Sequence, residues 1–433
     1  MLDASNQDVQ STGYRSYVLA VLTVMYTFNY LDRYVLTILV VPIKEELGLS
    51  DTMMGFLLGP AFALFYTALG IPIARLADRR SRTLILSISF VVWSLMTAAA
   101  GLARSASFLV ATRIGVGIGE AGGTAPAHSL ISDYFPIERR AFAFGVFQQG
   151  VYLGQLLGLA IGGLLVGMIG WRQTFFVVGL PGIALAFILY LTVREPRRGT
   201  ASVAALEEQN ATAAPSVIET FRHLWQRPSF RALILGTAIA SFAGTGFGFW
   251  VPVLLERVHG LSQMEIGFQF GPIAAISGSL GALLAGTLTD RLSRRDRRWL
   301  MWIPAGSVAF SLPFLIGICL WPNSTGAILC AIPAGLLGGG WAPAAYAAAQ
   351  TIAPANMRAV AASITILGIT LFGMGAGPQV IGILNDLFAP RFGDDAVRYS
   401  MVAVLMTCLL GALLLVWGAT RILRDLPIEQ ATD

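Results

Sequence analysis

Along the chain, apolar residues gather into twelve long blocks, near 16–41, 54–77, 83–103, 107–131, 141–167, 172–193, 231–256, 266–289, 299–320, 325–350, 359–386 and 399–422, separated by short polar stretches. Crossing the hydrocarbon core of a bilayer takes ~20 apolar residues of helix, and each block supplies them. The pattern predicts an all-α membrane protein with twelve transmembrane helices.

Composition strengthens this. Hydrophobic residues make up 55% of the 433 and charged residues 12%, with a mean hydropathy of +0.70, values that exclude an ordinary water-soluble globule. The first apolar run is too long for a signal peptide and lacks a small-residue cleavage site, so the N-terminus is expected to be retained. A net charge of +5 does not mark a nucleic-acid partner, because the arginines sit in short clusters between apolar runs. They orient the chain instead. With both termini in the cytoplasm, that side carries about 21 Arg against about six Lys and Arg opposite, as the positive-inside rule requires.

Several function classes fall away. Cys319, Cys330 and Cys408 lie inside apolar runs with no His or second Cys nearby, which argues against a disulfide framework or a zinc site. Lys44 is the only lysine and sits beside Glu45 and Glu46, so no P-loop lysine is available for ATP-driven pumping. Of three histidines, His223 falls in a linker and His259 in a loop, leaving His128 without an evident nucleophile for an intramembrane enzyme. No cofactor is expected, only protons as coupling ion.

One connection is long. Residues 194–230 open with Arg194-Glu195-Pro196-Arg197-Arg198, pass through an Ala/Ser/Thr/Glu stretch and end at Arg227-Pro228, which reads as a surface linker with a short amphipathic helix. It divides a first six-helix bundle, 1–193, from a second, 231–433. The halves share a signature: Ala74-x-x-x-Asp78-Arg79-x-Ser81-Arg82 follows the second run, and Gly286-x-x-x-Asp290-Arg291-x-Ser293-Arg294-Arg295 follows the eighth. Equivalent loops in equivalent places indicate a duplicated unit and two pseudo-symmetric bundles. This loop resembles the Gly-x-x-x-Asp-Arg-x-Gly-Arg-Arg motif of the major facilitator superfamily, with Ala74 in place of its first Gly and serines in place of its second. The resemblance implies that fold, and conformational-switch loops built on Asp78, Arg79 and Arg82 and on Asp290, Arg291 and Arg294.

Charges inside membrane helices cost several kcal/mol and are rarely idle. Asp32 and Arg33 fall in the first run, Arg113 and Glu120 in the fourth. At 1.5 Å per residue, Asp32 lies ~24 Å from the inner edge and Arg113 ~9 Å below the outer one, so their heights are similar. Glu120 lies two turns, ~10 Å, deeper on the same face as Arg113. Adjacent Asp32 and Arg33 point ~100° apart and cannot both face one partner. A carboxylate that changes partners between conformations changes its proton affinity, which makes Asp32 and Glu120 proton-coupling candidates. Arg33 and Arg113 are then their counter-charges or anion binders. The bland alternative is a static pair of helix-fastening ion bridges.

Gly150, Gly154, Gly158 and Gly162 recur at i, i+4 on the fifth run, allowing close approach of a neighbouring helix and, beyond packing, a gate that rocks about it. Tyr30, Gln148, Gln149, Tyr152 and Gln155 offer polar groups to a cavity. The second half has no ionisable residue mid-membrane, since Glu256, Glu265 and Asp386 fall near helix ends. It offers Phe247, Phe249, Trp250, Trp341 and Tyr346, and a cavity charged on one side and apolar on the other suits an amphiphile.

Two stretches narrow the family: Asn29-Tyr30-Leu31-Asp32-Arg33, and the run from Arg113 through Gly119-Glu120-Ala121-Gly122 to Phe135-Pro136-x-x-Arg139-Arg140. The first is shared with organic-anion symporters of the same superfamily. The second resembles the spinster family of proton-coupled lipid transporters. That resemblance implies movement of sphingosine-1-phosphate, lysophospholipids or related amphiphiles, with Asp32 and Glu120 matching the family's protonatable acids and Arg33 and Arg113 its membrane arginines. Abundant Arg, Ala and Gly fit a bacterial member in an inner membrane. The expectation is a monomeric, alternating-access carrier, against an organic-anion or drug carrier of the same fold, a passive channel or a receptor.

Overall fold

The computed structural model describes residues 11–196 and 217–426, so 197–216 of the expected linker lie outside the described residues. Every regular element among the described residues is helical. We number the membrane helices α1 (Thr12–Ile38), α2 (Asp51–Leu58 and Pro60–Arg79), α3 (Arg82–Ala100), α4 (Ala106–Glu120 and Thr124–Tyr134), α5 and α6 (one run, Ile137–Thr192), α7 (Pro228–His259) and α8 (Gln263–Glu265, a π segment Ile266–Phe270, and Gly271–Ser293). Then follow α9 (Trp299–Leu320), α10 (Ser324–Gly338 and Trp341–Ile352), α11 (Arg358–Gly368, a π segment Ile369–Ala376, and Gly377–Phe392) and α12 (Ala396–Leu405 and Thr407–Ala419).

Among the described residues, eight helical runs are long and apolar enough to cross a membrane. Two of them are double: one covers α5 and α6 and another α11 and α12, which makes ten spans. The other two are α1 and α4. α1 carries Asp32 and Arg33, and α4 is broken into pieces of 15 and 11 residues; with them the expected spans number twelve.

The breaks within helices have local causes. Gly170 adopts φ 77°, a left-handed conformation that a side chain resists, and there the chain turns from α5 into α6. Gly59, at φ −116° and ψ −91°, leaves helical geometry just before Pro60, whose missing N–H cannot continue the ladder. The π segments of α8 and α11 each run into a Gly-Pro pair, Gly271-Pro272 and Gly377-Pro378.

The chain forms two compact units. The first comprises the described residues of Met1–Leu49, Ala61–Glu208 and Ser262–Phe268; the second comprises Ser50–Pro60 and those of Gln209–Leu261 and Gln269–Asp433. Ser50–Pro60 thus joins the second unit although it precedes the linker, and Ser262–Phe268 joins the first although it follows it.

In the first unit the glycine stripe of α5 lies on α1. A Cβ on Gly154 would stand 2.6 Å from the Thr27 carbonyl oxygen, and one on Gly158 2.8 Å from that of Leu31. Nothing larger than hydrogen fits, so the two backbones meet. In the second unit, Leu224 of the linker helix Val217–Trp225 packs with Phe230, Met301, Ala345, Ala349 and Leu415 in one buried cluster. There too the Asp51–Leu58 segment of α2 is pressed on α11: a Cβ on Gly55 would stand 2.6 Å from the Pro378 carbonyl oxygen. Asp386 accepts hydrogen bonds from the Asp51 and Thr52 N–H groups at 3.0 and 2.7 Å, capping that segment. Arg257 grips the Asp51 carboxylate through both terminal nitrogens, at 2.6 and 2.8 Å.

Candidate functional site: crossed ion pairs between α1 and α4

All four membrane charges of the first unit meet. Asp32, Arg33, Arg113 and Glu120 are each exposed by 6% or less. Arg33 donates from Nε and Nη2 to Oε2 of Glu120, at 2.9 and 2.5 Å. Arg113 donates from Nη1 to Oδ2 of Asp32 at 3.3 Å, and Thr97 of α3 donates to Oδ1 at 2.7 Å. Neighbours in sequence thus take different partners, as the ~100° between successive side chains demands.

Helix direction explains the tighter pair. Side chains lean toward the N-terminus of their own helix. α1 and α4 run antiparallel, so Arg33 and Glu120 lean toward each other.

Glycines set the distances. A Cβ on Gly117 would stand 2.6 Å from the Phe62 carbonyl oxygen, and one on Gly119 2.6 Å from the Trp93 nitrogen. The alternate glycines of α4 therefore seat α2 on one side and α3 on the other. Close seating of α2 brings its rings onto the cations: the Arg33 guanidinium carbon lies 4.7 Å from the Phe62 ring centre, 5.4 Å from Tyr66 and 4.8 Å from Tyr30 of α1, and that of Arg113 lies 5.7 Å from Phe62. Ring faces favour a desolvated cation.

Two acids and two bases cancel formally, which is how four charges persist where one alone would be prohibitive. The satisfaction is incomplete. Glu120 Oε1 and Arg113 Nε are buried without a hydrogen-bond partner among the described residues. The cluster therefore holds an acceptor and a donor in reserve.

The remaining predicted site residues are scattered. Tyr30 stands beside Arg33, Tyr152 is half-buried and Gln148 is exposed. Trp341 and Tyr346 are half-buried. Trp250 is fully buried and donates its indole N–H to the Pro378 carbonyl at 2.9 Å, so its surface is spent on joining α7 to α11.

The switch loops differ. Arg82 is buried and holds Asp133 at 2.5 Å, Ser129 at 2.8 Å and Glu195 at 2.7 Å. Glu195 also accepts from the Ser81 hydroxyl and the Thr83 N–H, both at 3.0 Å. Burial works to raise the Glu195 pKa, but the Thr83 N–H and the Arg82 guanidinium outweigh it and hold the carboxyl below its usual range. Arg79 is exposed, as are Asp290, Arg291 and Arg294, and the Asp78 side chain lies outside the described residues.

Some partners had escaped the sequence reading. Thr97 is one more polar residue in an apolar run, and Phe62 and Tyr66 two aromatics among many. Asp51 and Arg257 sit at run ends, where charge is ordinary; only their bidentate pairing sets them apart.

Known proteins resemble this chain. Residues 22–378 match the family described as Major Facilitator Superfamily. An "MFS-type efflux pump" of Mycolicibacterium smegmatis is 32% identical over 95% of this chain and 94% of its own. Protein spinster homolog 3 of Danio rerio is 28% identical over 95% of this chain and 86% of its own. Among solved structures, a bacterial homolog of the human lysosomal transporter spinster, in an inward-facing and unoccupied conformation, superposes with a TM-score of 0.86 at 32% identity, covering 96% of this chain and 99% of that one. With its charged α1 and α4, its duplicated loop and these relatives, the chain is a multi-pass membrane transporter that belongs to the major facilitator superfamily, on its spinster branch.

Proposed function

We propose that the protein is a secondary active, proton-coupled carrier of an amphiphilic anion, a lysophospholipid or a sphingosine-1-phosphate-like lipid, working by alternating access. The observation that carries this is the pairing of two buried carboxylates with two buried arginines, incomplete on both sides. Protonating Glu120 weakens its hold on Arg33; protonating Asp32 weakens its hold on Arg113. Each event frees a guanidinium, which a phosphate head group neutralises with bidentate geometry. Proton and lipid thus bind through the same pairs. The unmet Arg113 Nε supports an anionic group as cargo.

In this reading the protein sits as a monomer in a bacterial inner membrane with both termini cytoplasmic, the orientation that puts the arginine excess inside. The test is uptake of a fluorescent lysophospholipid into proteoliposomes under an imposed pH gradient. Saturable, gradient-dependent uptake that Glu120→Gln and Asp32→Asn each abolish supports the reading; wild-type uptake in both variants sinks it. A second reading, efflux of an amphiphilic drug, is favoured by the mycobacterial relative. Drug-stimulated proton flux with no response to lysophospholipid would select it.

A further inference from the structure

We propose that the linker helix Val217–Trp225 is an interfacial anchor: its bare apolar stripe seats in the leaflet on the linker's side of the membrane, and Arg222 beside that stripe meets anionic lipid head groups.

The nine residues of this helix present three faces. Thr220 and Leu224, one turn apart and fully buried, are spent on the second unit. Glu219, Arg222 and His223 are exposed and polar. Between these faces run Trp225, Phe221 and Ile218, spaced four and then three residues apart and so aligned in one stripe. Its exposure climbs as it leaves the bundle. Trp225 packs at the edge of the cluster around Leu224; the Phe221 ring stacks on Trp225, centres 5.1 Å apart, and is 41% exposed; Ile218 is 72% exposed. A phenylalanine and an isoleucine left bare, on a helix whose other faces are accounted for, call for apolar cover.

Position says what supplies it. The apolar span α7 begins at Pro228, three residues after Trp225. The connection is stiff. The Arg227 N–H donates to the Leu224 carbonyl at 3.0 Å, its guanidinium donates to the carbonyls of Ile352 and Asp425 at 2.5 and 2.8 Å, and the Asp425 carboxylate accepts from the Ser229 N–H at 2.8 Å. The helix is therefore held where the hydrocarbon begins, and its stripe, ~10 Å from Trp225 to Ile218, stays at that level. A short amphipathic helix with aromatic residues on its apolar side lies in such an interface. Charge then selects the lipid. Arg222 stands next to Phe221 at the border of the stripe, and Arg421 and Arg424, exposed just past α12, flank the Asp425 that Arg227 binds. Arginines at this boundary attract anionic head groups, and the Arg222 stem can lie along the stripe while its guanidinium reaches a phosphate.

The experiment uses full-length protein in lipid nanodiscs, spin-labelled at Ile218→Cys on the stripe or at His223→Cys on the polar face. Cys319 and Cys408 are buried and Cys330 half-buried, and the unsubstituted protein gives their label background. In nanodiscs containing phosphatidylglycerol, the label at 218 should be relaxed more by oxygen, which concentrates in lipid, than by a water-soluble nickel chelate, and the label at 223 in the opposite order. Arg222→Gln, or nanodiscs of phosphatidylcholine alone, should lower the ratio of seated to unseated label at 218 by about fivefold. Greater access for nickel than for oxygen at 218 would show the stripe facing water, and shielding from both reagents would show protein covering it; either result overturns the anchor. Equal seating in both lipids and in Arg222→Gln overturns the head-group assignment. If Ile218→Cys does not fold, Phe221→Cys on the same stripe gives the same reading.

Discussion

Arg33 holds Glu120 by one oxygen only: both of its donated hydrogen bonds converge on Oε2, at 2.9 and 2.5 Å, and Oε1 has no partner among the described residues. A side-on, two-oxygen bridge would oppose protonation at either oxygen. The single-oxygen grip leaves one lone-pair set where a proton can arrive before the ion pair breaks. That ordering, proton first and release second, is what a switch needs.

Glu120→Gln should therefore do two things. It should abolish gradient-driven uptake, and it should destabilise the protein by about 3–5 kcal/mol, because Arg33 is left as an uncompensated buried charge. Thermal unfolding of the purified protein measures the second effect. Arg33→Leu combined with Glu120→Gln should recover most of the stability and none of the coupling.

Asp32→Asn should separate the roles differently. The amide oxygen still accepts from Thr97, so the helix contact survives while the charge facing Arg113 is lost. We expect a smaller loss of stability than in Glu120→Gln, about 1–2 kcal/mol given the single 3.3 Å contact, with uptake no longer responsive to the pH gradient.

Gly154→Ala tests the backbone contact of α5 with α1. The added methyl would stand 2.6 Å from the Thr27 carbonyl oxygen and 2.5 Å from the Tyr30 Cβ, so α1 must shift, at a cost of about 1–3 kcal/mol. Gly145→Ala on the same helix meets nothing within 4 Å and should leave the melting temperature unchanged.

Glu195 gives a pH dependence outside the membrane. Its folded pKa is depressed, so its stabilisation is fully present above the unfolded value of about 4.3 and is lost as pH falls through the folded value. Melting temperatures of the wild type and Glu195→Gln should differ at neutral pH and converge under acid. Equal melting temperatures at pH 7 would show that the Arg82 cluster does not depend on this carboxylate.

Asp51→Asn should loosen the cap of α2. Removing its charge strands Arg257, and stability, read by thermal unfolding, should fall by about 3 kcal/mol or more, since Asp51 is 3% exposed. The reversed pair, Asp51→Arg with Arg257→Asp, should recover only part, because a cation in the first turn of the Asp51–Leu58 segment opposes the positive N-terminal end of that helix.

Sequence made the centre of this molecule legible for a simple reason. Asp32, Arg33, Arg113 and Glu120 interrupt apolar runs, and charge at that depth is costly enough to single them out. The depth argument placed Asp32 level with Arg113, and they are paired; it did not reveal that Arg33 reaches Glu120, which depends on the lean of side chains in antiparallel helices. The stripe from Gly150 to Gly162 announced a close neighbour without saying that it is α1. The break at Gly59-Pro60 was hidden because both residues are common in membrane helices. Trp250 could not be separated by type from a cavity-lining aromatic; only the hydrogen bond to Pro378 fixes its place.

α1 and α4 are the two expected spans that carry the buried charges Asp32, Arg33, Arg113 and Glu120. On an insertion scale each Asp or Arg at a helix centre disfavours the lipid by roughly 3 kcal/mol, so α1, with Asp32 and Arg33, is a poor lodger by itself. Its partners arrive some eighty residues later. The charges of the first segment are met only once the fourth has been made, so lipid favours the two as a neutralised couple over either alone.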